Sequence, residues 1–198
     1  MEELKTIREV AILWKKDKQQ YVKLSTLSAY ALILENHILP TFGNKRQLHE
    51  KDVQDFTLLK LQEGLSQKTV KDILIVLKMI QKFGQKHEIL PMTEWSVKFP
   101  TEQKKNELEV LSIANQRKIM QYVKDNFTFR NLGIYICLST GMRIGEICAL
   151  KWSDINLSTE TISVNHTIER IYIIEDDKRH TELVIGTPKT QNSMREIP

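Results

Sequence analysis

The chain has 198 residues, enough for one or two domains, and 41% of them are hydrophobic, enough for a packed core. No apolar run approaches the length of a membrane-spanning helix, and the first six residues, Met-Glu-Glu-Leu-Lys-Thr, lack the apolar stretch of a secretory signal, so a cytoplasmic protein is expected. The formal net charge of +4 sits wholly in the first half: residues 1–100 carry 16 Lys and Arg against 12 Asp and Glu, and residues 101–198 carry 13 of each. A local excess of lysine suits a polyanion but does not by itself identify one.

Taken in order, Thr6 to about Gln19 reads as an amphipathic helix, with Ile7, Val10, Ala11 and Trp14 at the i, i+3, i+4, i+7 positions. Ser25 is a candidate N-cap for a second helix that turns Tyr30, Ile33, Leu34 and Ile38 inward and is stopped by Leu39-Pro40-Thr41-Phe42-Gly43. A third helix is expected from Glu50 to Gln62, ending at Gly64. Ser66 then caps a fourth, Gln67 to about Lys86, with Val70, Ile73, Leu74, Leu77 and Ile80 on one face.

On that fourth helix Lys68, Lys71, Lys78 and Lys82 fall within about one quadrant of the wheel, at roughly 100° per residue. A solvated lysine face is the ordinary explanation. The functional one is a stripe laid along a phosphate backbone, where each neutralised phosphate releases counterions.

Pro91 and Pro100 bracket a segment without helical period, followed by the polar run 101–107, so a linker is expected at 93–107 between domains at 1–92 and 108–198. Ser112 is a candidate N-cap for the next helix, with Ile113, Ile119, Met120 and Val123 inward. A helix from near Phe129 should end at Thr140-Gly141, where glycine permits a left-handed turn. Beyond Trp152 the residues at 161–165, 168–174 and 183–185 are rich in β-branched side chains and read as strands. The two cysteines, Cys137 and Cys148, read as small buried residues of a reduced protein, with neither a disulfide nor a metal site implied.

Two stretches carry chemistry. In Thr140-Gly-Met-Arg-Ile-Gly-Glu-Ile-Cys-Ala-Leu-Lys-Trp152, Arg143 and Glu146 lie three apart and project from one side of a first helical turn. Such a pair is often only a weak surface ion pair, but a guanidinium at a helix mouth is also a planar, permanently charged fork suited to phosphate. In Thr187-Pro-Lys-Thr-Gln-Asn-Ser-Met-Arg-Glu-Ile-Pro198, Pro188 and Gln191-Asn192-Ser193 suit a β-turn, on which Lys189 would ordinarily be an exposed lysine.

The first stretch resembles the T-G-x-R-x-x-E-x-x-x-L-x-W signature of the tyrosine recombinases, the phage-type integrases, and the second resembles their K-T-x-x-S-x-R-x-I-P hairpin. The first half is similar to their core-binding domain through Trp14, Thr26, Tyr30, His37-Ile-Leu-Pro-Thr-Phe-Gly43 and Leu65-Ser66-x-x-Thr69. The resemblance implies a mainly α fold with a small β-sheet: a four-helix SAM-like domain that clamps duplex DNA, then a partial α+β catalytic domain. It implies that Arg143 holds the scissile phosphate, that Glu146 supports it and that Lys189 is general acid for the leaving 5′-hydroxyl; beside these motifs, the wheel position of Lys68, Lys71, Lys78 and Lys82, with Thr69, is expected to lie on DNA. The family's reaction is a transesterification through a phosphotyrosine, so no cofactor or metal is implied. The partner is double-stranded DNA, bound as a tetramer by intact members, with no membrane and no small-molecule substrate.

The family pattern also contains a later H-x-x-R box and a C-terminal nucleophilic tyrosine. None of His37, His49, His87, His166 and His180 begins an H-x-x-R, and Tyr21, Tyr30, Tyr122, Tyr135 and Tyr172 all precede the hairpin motif. The expectation is a truncated recombinase that binds DNA and does not cleave it alone. A non-enzymatic DNA-binding or regulatory remnant, and a helical protein–protein adaptor, are the other readings.

Overall fold

The computed structural model describes residues 4–101, 110–175, 178–188 and 193–198. The chain is mainly helical with small sheets and divides into two compact units: residues 1–104 with 171–180, and residues 105–170 with 181–198.

The first unit is built on α1 (Ile7–Lys18), α2 (Leu24–Ile33), α3 (Leu39–Phe42), α4 (Glu50–Gln62) and α5 (Gln67–Lys86). Helix α1 starts where a sequence reader would start it. Thr6 Oγ1 accepts from Glu9 N at 3.3 Å and Glu9 Oε2 accepts from Thr6 N at 2.7 Å, a reciprocal capping box. Its apolar stripe, Ile7, Val10, Ala11 and Trp14, is buried against the apolar face of α5, where Val70, Ile73, Leu77 and Ile80 are fully enclosed. Both α4 and α5 have the expected bounds, and Ser66 Oγ caps α5 by accepting from Thr69 N at 3.1 Å.

Two features of this unit depart from the sequence reading. Lys23, not Ser25, is the N-cap of α2, which leaves Ser25 inside the first turn. Nor does Pro40 end the second helix. The five residues Leu34–Ile38 form a π-helical turn, in which Leu39 N bonds back to Leu34 O, and α3 then runs on to Phe42 with Pro40 in its first turn. Pro40 has no N–H and its ring crowds the carbonyl four residues back, so a locally widened turn is what lets the chain continue.

Residues 93–100, placed in the expected linker, contain no helix or strand but are bound along α4 and α5. The carboxamide of Gln81, buried on α5, donates to Thr93 O at 2.6 Å and to Thr93 Oγ1 at 2.7 Å, while its oxygen accepts from the indole of Trp95. Gln54 exchanges two bonds with the Lys98 backbone, at 3.0 and 2.9 Å, and Gln67 donates to Pro100 O at 2.7 Å. Trp95 itself is buried in the core of the unit. Residues 102–107 of that expected linker lie outside the described residues. The 171–180 part of the first unit buries Ile171, and Tyr172 N donates to Ser28 Oγ at 2.9 Å.

The second unit contains α6 (Ile113–Asp125), α7 (Phe129–Thr140), α8 (Ile144–Cys148) and a 3-10 turn at Trp152–Asp154. A three-stranded antiparallel sheet has the order β1 (Ile155–Asn156), β2 (Thr161–Val164), β5 (Arg195–Ile197), with Val164 opposite Arg195 and Ile162 opposite Ile197. Strands β3 (Thr167–Glu175) and β4 (Lys178–Gly186) pair separately. Ser112 caps α6 and Thr128 caps α7. Of the residues expected inward on α6, only Val123 is buried, Ile113 stands largely exposed, and α7 buries none of its residues fully. Cys137 and Cys148, expected to be buried, are exposed instead.

Candidate phosphate-binding cluster and basic helix face

The cluster begins with the stop of α7. Gly141 adopts φ +68°, ψ 16° and its N–H bonds Cys137 O, the left-handed ending the glycine was expected to provide. Thr140 Oγ1 then accepts from Met142 N at 3.2 Å, and the Met142 side chain is buried, so the turn is held by its hydroxyl and by an apolar anchor. This sets Arg143 in extended backbone, φ −73°, ψ 150°, as the residue before α8. Gly145 is needed for a different reason. A Cβ there would lie 2.5 Å from Thr167 Oγ1 and 2.9 Å from Ile168 O, so α8 lies against the start of β3 at a distance only glycine allows.

Glu146 is the centre of the cluster. Its side chain is 3% exposed, yet both oxygens are saturated with donors. Oε2 accepts from Arg143 N at 3.0 Å and Arg195 Nη2 at 2.9 Å. Oε1 accepts from Arg143 Nη1 at 3.0 Å and Arg195 Nη1 at 3.3 Å. The guanidinium of Arg195 beside it, then the backbone N–H and guanidinium of Arg143, hold the Glu146 carboxyl down at about 2 against the opposing effect of burial. Two arginines on one carboxylate leave an excess of one positive charge. That charge is presented by Arg143, whose side chain is 72% exposed against 30% for Arg195. An exposed guanidinium anchored at one nitrogen offers its remaining donors in a fixed plane, the geometry that suits a phosphate oxygen pair.

Structure therefore brings Arg143 and Glu146 together as their spacing suggested and adds Arg195, to which the sequence reading gave no role. The signal was present: Arg195 stands in the second motif. Its partner, however, is 49 positions away, and no local spacing connects them. Lys189, the remaining residue of that motif with an expected role, lies outside the described residues.

On the first unit, Lys68, Thr69, Lys71, Lys78 and Lys82 are all exposed along α5. Thr69 is tied to the helix start, its hydroxyl 2.9 Å from Ser66 Oγ. Lys71 Nζ stands 4.9 Å over the ring of Phe99 and Lys78 Nζ 4.7 Å over the ring of Trp95, so residues 93–100 hold two ammonium groups in place by cation–π attraction. Lys86, exposed and five turns beyond Lys68 on the same line of the helix, extends the stripe and was missed. Ile75, 51% exposed, interrupts it.

A family model for the phage integrase N-terminal SAM-like domain matches residues 6–58, and one for the phage integrase family matches residues 109–190. A XerC-like tyrosine recombinase of Caldanaerobacter subterraneus is 29% identical over 145 residues, covering 69% of this chain and 36% of the relative. The ICEBs1 integrase of Bacillus subtilis is 27% identical over 180 residues, covering 83% of this chain and 43% of the relative. The chain thus spans less than half the length of these curated relatives. Among solved structures, the Tn1549 transposon integrase in complex with a circular intermediate DNA superposes with a TM-score of 0.70 at 20% identity, over 98% of this chain and 60% of that one. A lambda integrase tetramer bound to a Holliday junction gives 0.62 at 16% identity, over 91% and 50%. At these identities the likeness is one of fold.

Proposed function

Since the chain belongs to the tyrosine recombinase family of phage-type integrases, we propose that it binds duplex DNA through the α5 lysines and offers Arg143 to a phosphodiester as the DNA-gripping portion of a site-specific recombinase. The observation that carries this is the exposed, tethered guanidinium of Arg143 on a carboxylate shared with Arg195.

In the reaction proposed for the whole protein, a tyrosine oxygen bonds to phosphorus as the bond to the 5′-oxygen breaks. The leaving oxygen takes a proton, and a 3′-phosphotyrosine remains. Charge gathers on the non-bridging oxygens in the transition state. Cationic donors already in position stabilise it without reorganising. Arg143 is the donor described here, and Lys189 is proposed as the acid for the leaving oxygen. Glu146 touches no substrate; it fixes the plane of Arg143.

We further propose that the 198-residue chain by itself holds DNA without forming a covalent adduct. Of its tyrosines, Tyr135 lies beneath Lys124 Nζ at 5.4 Å and Tyr122 is exposed on α6, while Tyr21, Tyr30 and Tyr172 belong to the first unit. No second arginine in an H-x-x-R box shares the phosphate. Assembly as a tetramer on DNA and a cytoplasmic site of action are part of the same reading.

The test is a salt series of duplex-DNA binding by fluorescence anisotropy. Each phosphate contact contributes about 0.9 to the slope of log K against log salt. Replacing Lys68, Lys71 and Lys78 with alanine is expected to flatten that slope by about two to three, with a circular dichroism melt showing that the helix survives. An unchanged slope refutes the assignment of α5. A suicide substrate should trap no adduct, and one abolished by mutating any tyrosine above would refute the non-cleaving reading.

A further inference from the structure

A buried carboxylate needs a counter-charge, and Glu146 has two candidates that differ in what else they can do. Arg195 is anchored three times: Nη1 and Nη2 on the two oxygens of Glu146 at 3.3 and 2.9 Å, and Nη1 again on Ser193 O at 3.0 Å. Its backbone is fixed as well, on β5 opposite the buried Val164. Arg143 has a single side-chain bond to the same carboxylate and is mostly in solvent. The two-pronged pairing is the geometry in which a guanidinium neutralises a carboxylate most fully.

Resting on the DNA-binding reading above, we propose that Arg195 is a positioning residue that occupies the charge of Glu146 so that Arg143 stays free for phosphate. With Arg195 in place the cluster carries one net positive charge, displayed at Arg143. Without it, a buried carboxylate with one remaining cation draws Arg143 into a closed, neutral pair. The phosphate then competes with Glu146 for the same fork. The second motif in this way acts on the first through a carboxylate 49 residues distant, and touches no phosphate to do so.

The experiment compares R143Q, R195Q, R195K and the double variants R143Q/R195Q and R195Q/E146Q of the 198-residue chain for binding to a fluorescent 30-base-pair duplex across a salt series. R195Q is expected to lose about tenfold in affinity and to flatten the salt slope by about one, matching R143Q. R143Q/R195Q should be no worse than R143Q alone. The decisive arm is R195Q/E146Q. Removing the carboxylate releases Arg143, so the salt slope returns towards that of the unaltered chain although one more side chain has been lost. A merely structural role for Arg195 predicts the opposite. R195K, which keeps the charge and loses the fork, should fall between, and supplies the same comparison with R195K/E146Q if R195Q melts below the assay temperature. An unchanged slope in R195Q overturns the proposal. So does a loss that persists in R195Q/E146Q, which leaves Arg195 a structural role or a phosphate contact of its own, or one that adds to that of R143Q, which makes Arg195 a phosphate ligand itself. Absence of salt-dependent binding by the unaltered chain overturns the DNA reading and this inference with it.

Discussion

Glu146→Gln tests the cluster through its effect on stability. The carboxyl is held at about 2 in the folded chain against an ordinary 4.5. At about 1.4 kcal/mol per pKa unit, that difference corresponds to about 3 kcal/mol of stability at neutral pH. The folded pKa is the lower one, so the contribution is fully present well above 4.5 and disappears as pH falls towards 2. Linkage gives the shape: about 1 kcal/mol is gone by pH 4 and about 2 by pH 3. Glutamine keeps the size, removes the charge and turns an N–H₂ towards guanidinium donors, so E146Q should be less stable by about 3 kcal/mol at pH 7 and nearly indistinguishable at pH 2. Other carboxylates titrate alike in both proteins and cancel in the difference. Urea titrations at pH 7, 5, 4, 3 and 2, read from the amide resonances of β2 and β5, report the unit that holds Glu146. A difference that is constant with pH would refute the ion-pair account and leave only packing.

Two further outcomes are expected. Gly145→Ala places a methyl group against Thr167 Oγ1 and Ile168 O and should cost about 1–3 kcal/mol in a urea titration read on β2 and β5, with partial recovery in G145A/T167A because one of the two obstacles is then gone; full stability in G145A would show that α8 has room to move. Gln81→Leu leaves the buried Trp95 indole without its acceptor and should cost about 2 kcal/mol in urea unfolding, whereas Gln85→Leu should cost less, since the Thr93 carbonyl it serves is also held by Gln81.

What the sequence made legible follows the range of the forces involved. The bounds of α4 and α5 and the cap of α1 depend on residues three or four apart, and a reader can count that far. The left-handed ending at Gly141 is equally local. Pro40 misled because a proline ordinarily stops a helix, and nothing nearby announces that a π-helical turn will absorb it. The attachment of segment 93–100 was illegible for a different reason: its hold comes from glutamine side chains on backbone groups, and such bonds have no period. On α6 and α7 the apolar positions were readable but their burial was not, because burial depends on what packs against them. The cluster divides the same way. Arg143 and Glu146 share a turn, and their pairing was visible in the spacing. Arg195 reaches Glu146 only because β5 adds to β2, a pairing set by the tertiary fold.

The path of residues 93–100 has a practical consequence for dissecting the molecule. Cutting after residue 92, where helical periodicity fades, would discard Trp95 and Phe99 with the rest of that segment. The Gln81 carboxamide would lose its indole donor and its Thr93 acceptors in an otherwise apolar setting. Lys71 and Lys78 would lose the rings beneath them. Such a fragment could score as a poor DNA binder for reasons of its excision alone, whereas one extended through Thr101 keeps the helix face as it stands in the intact chain.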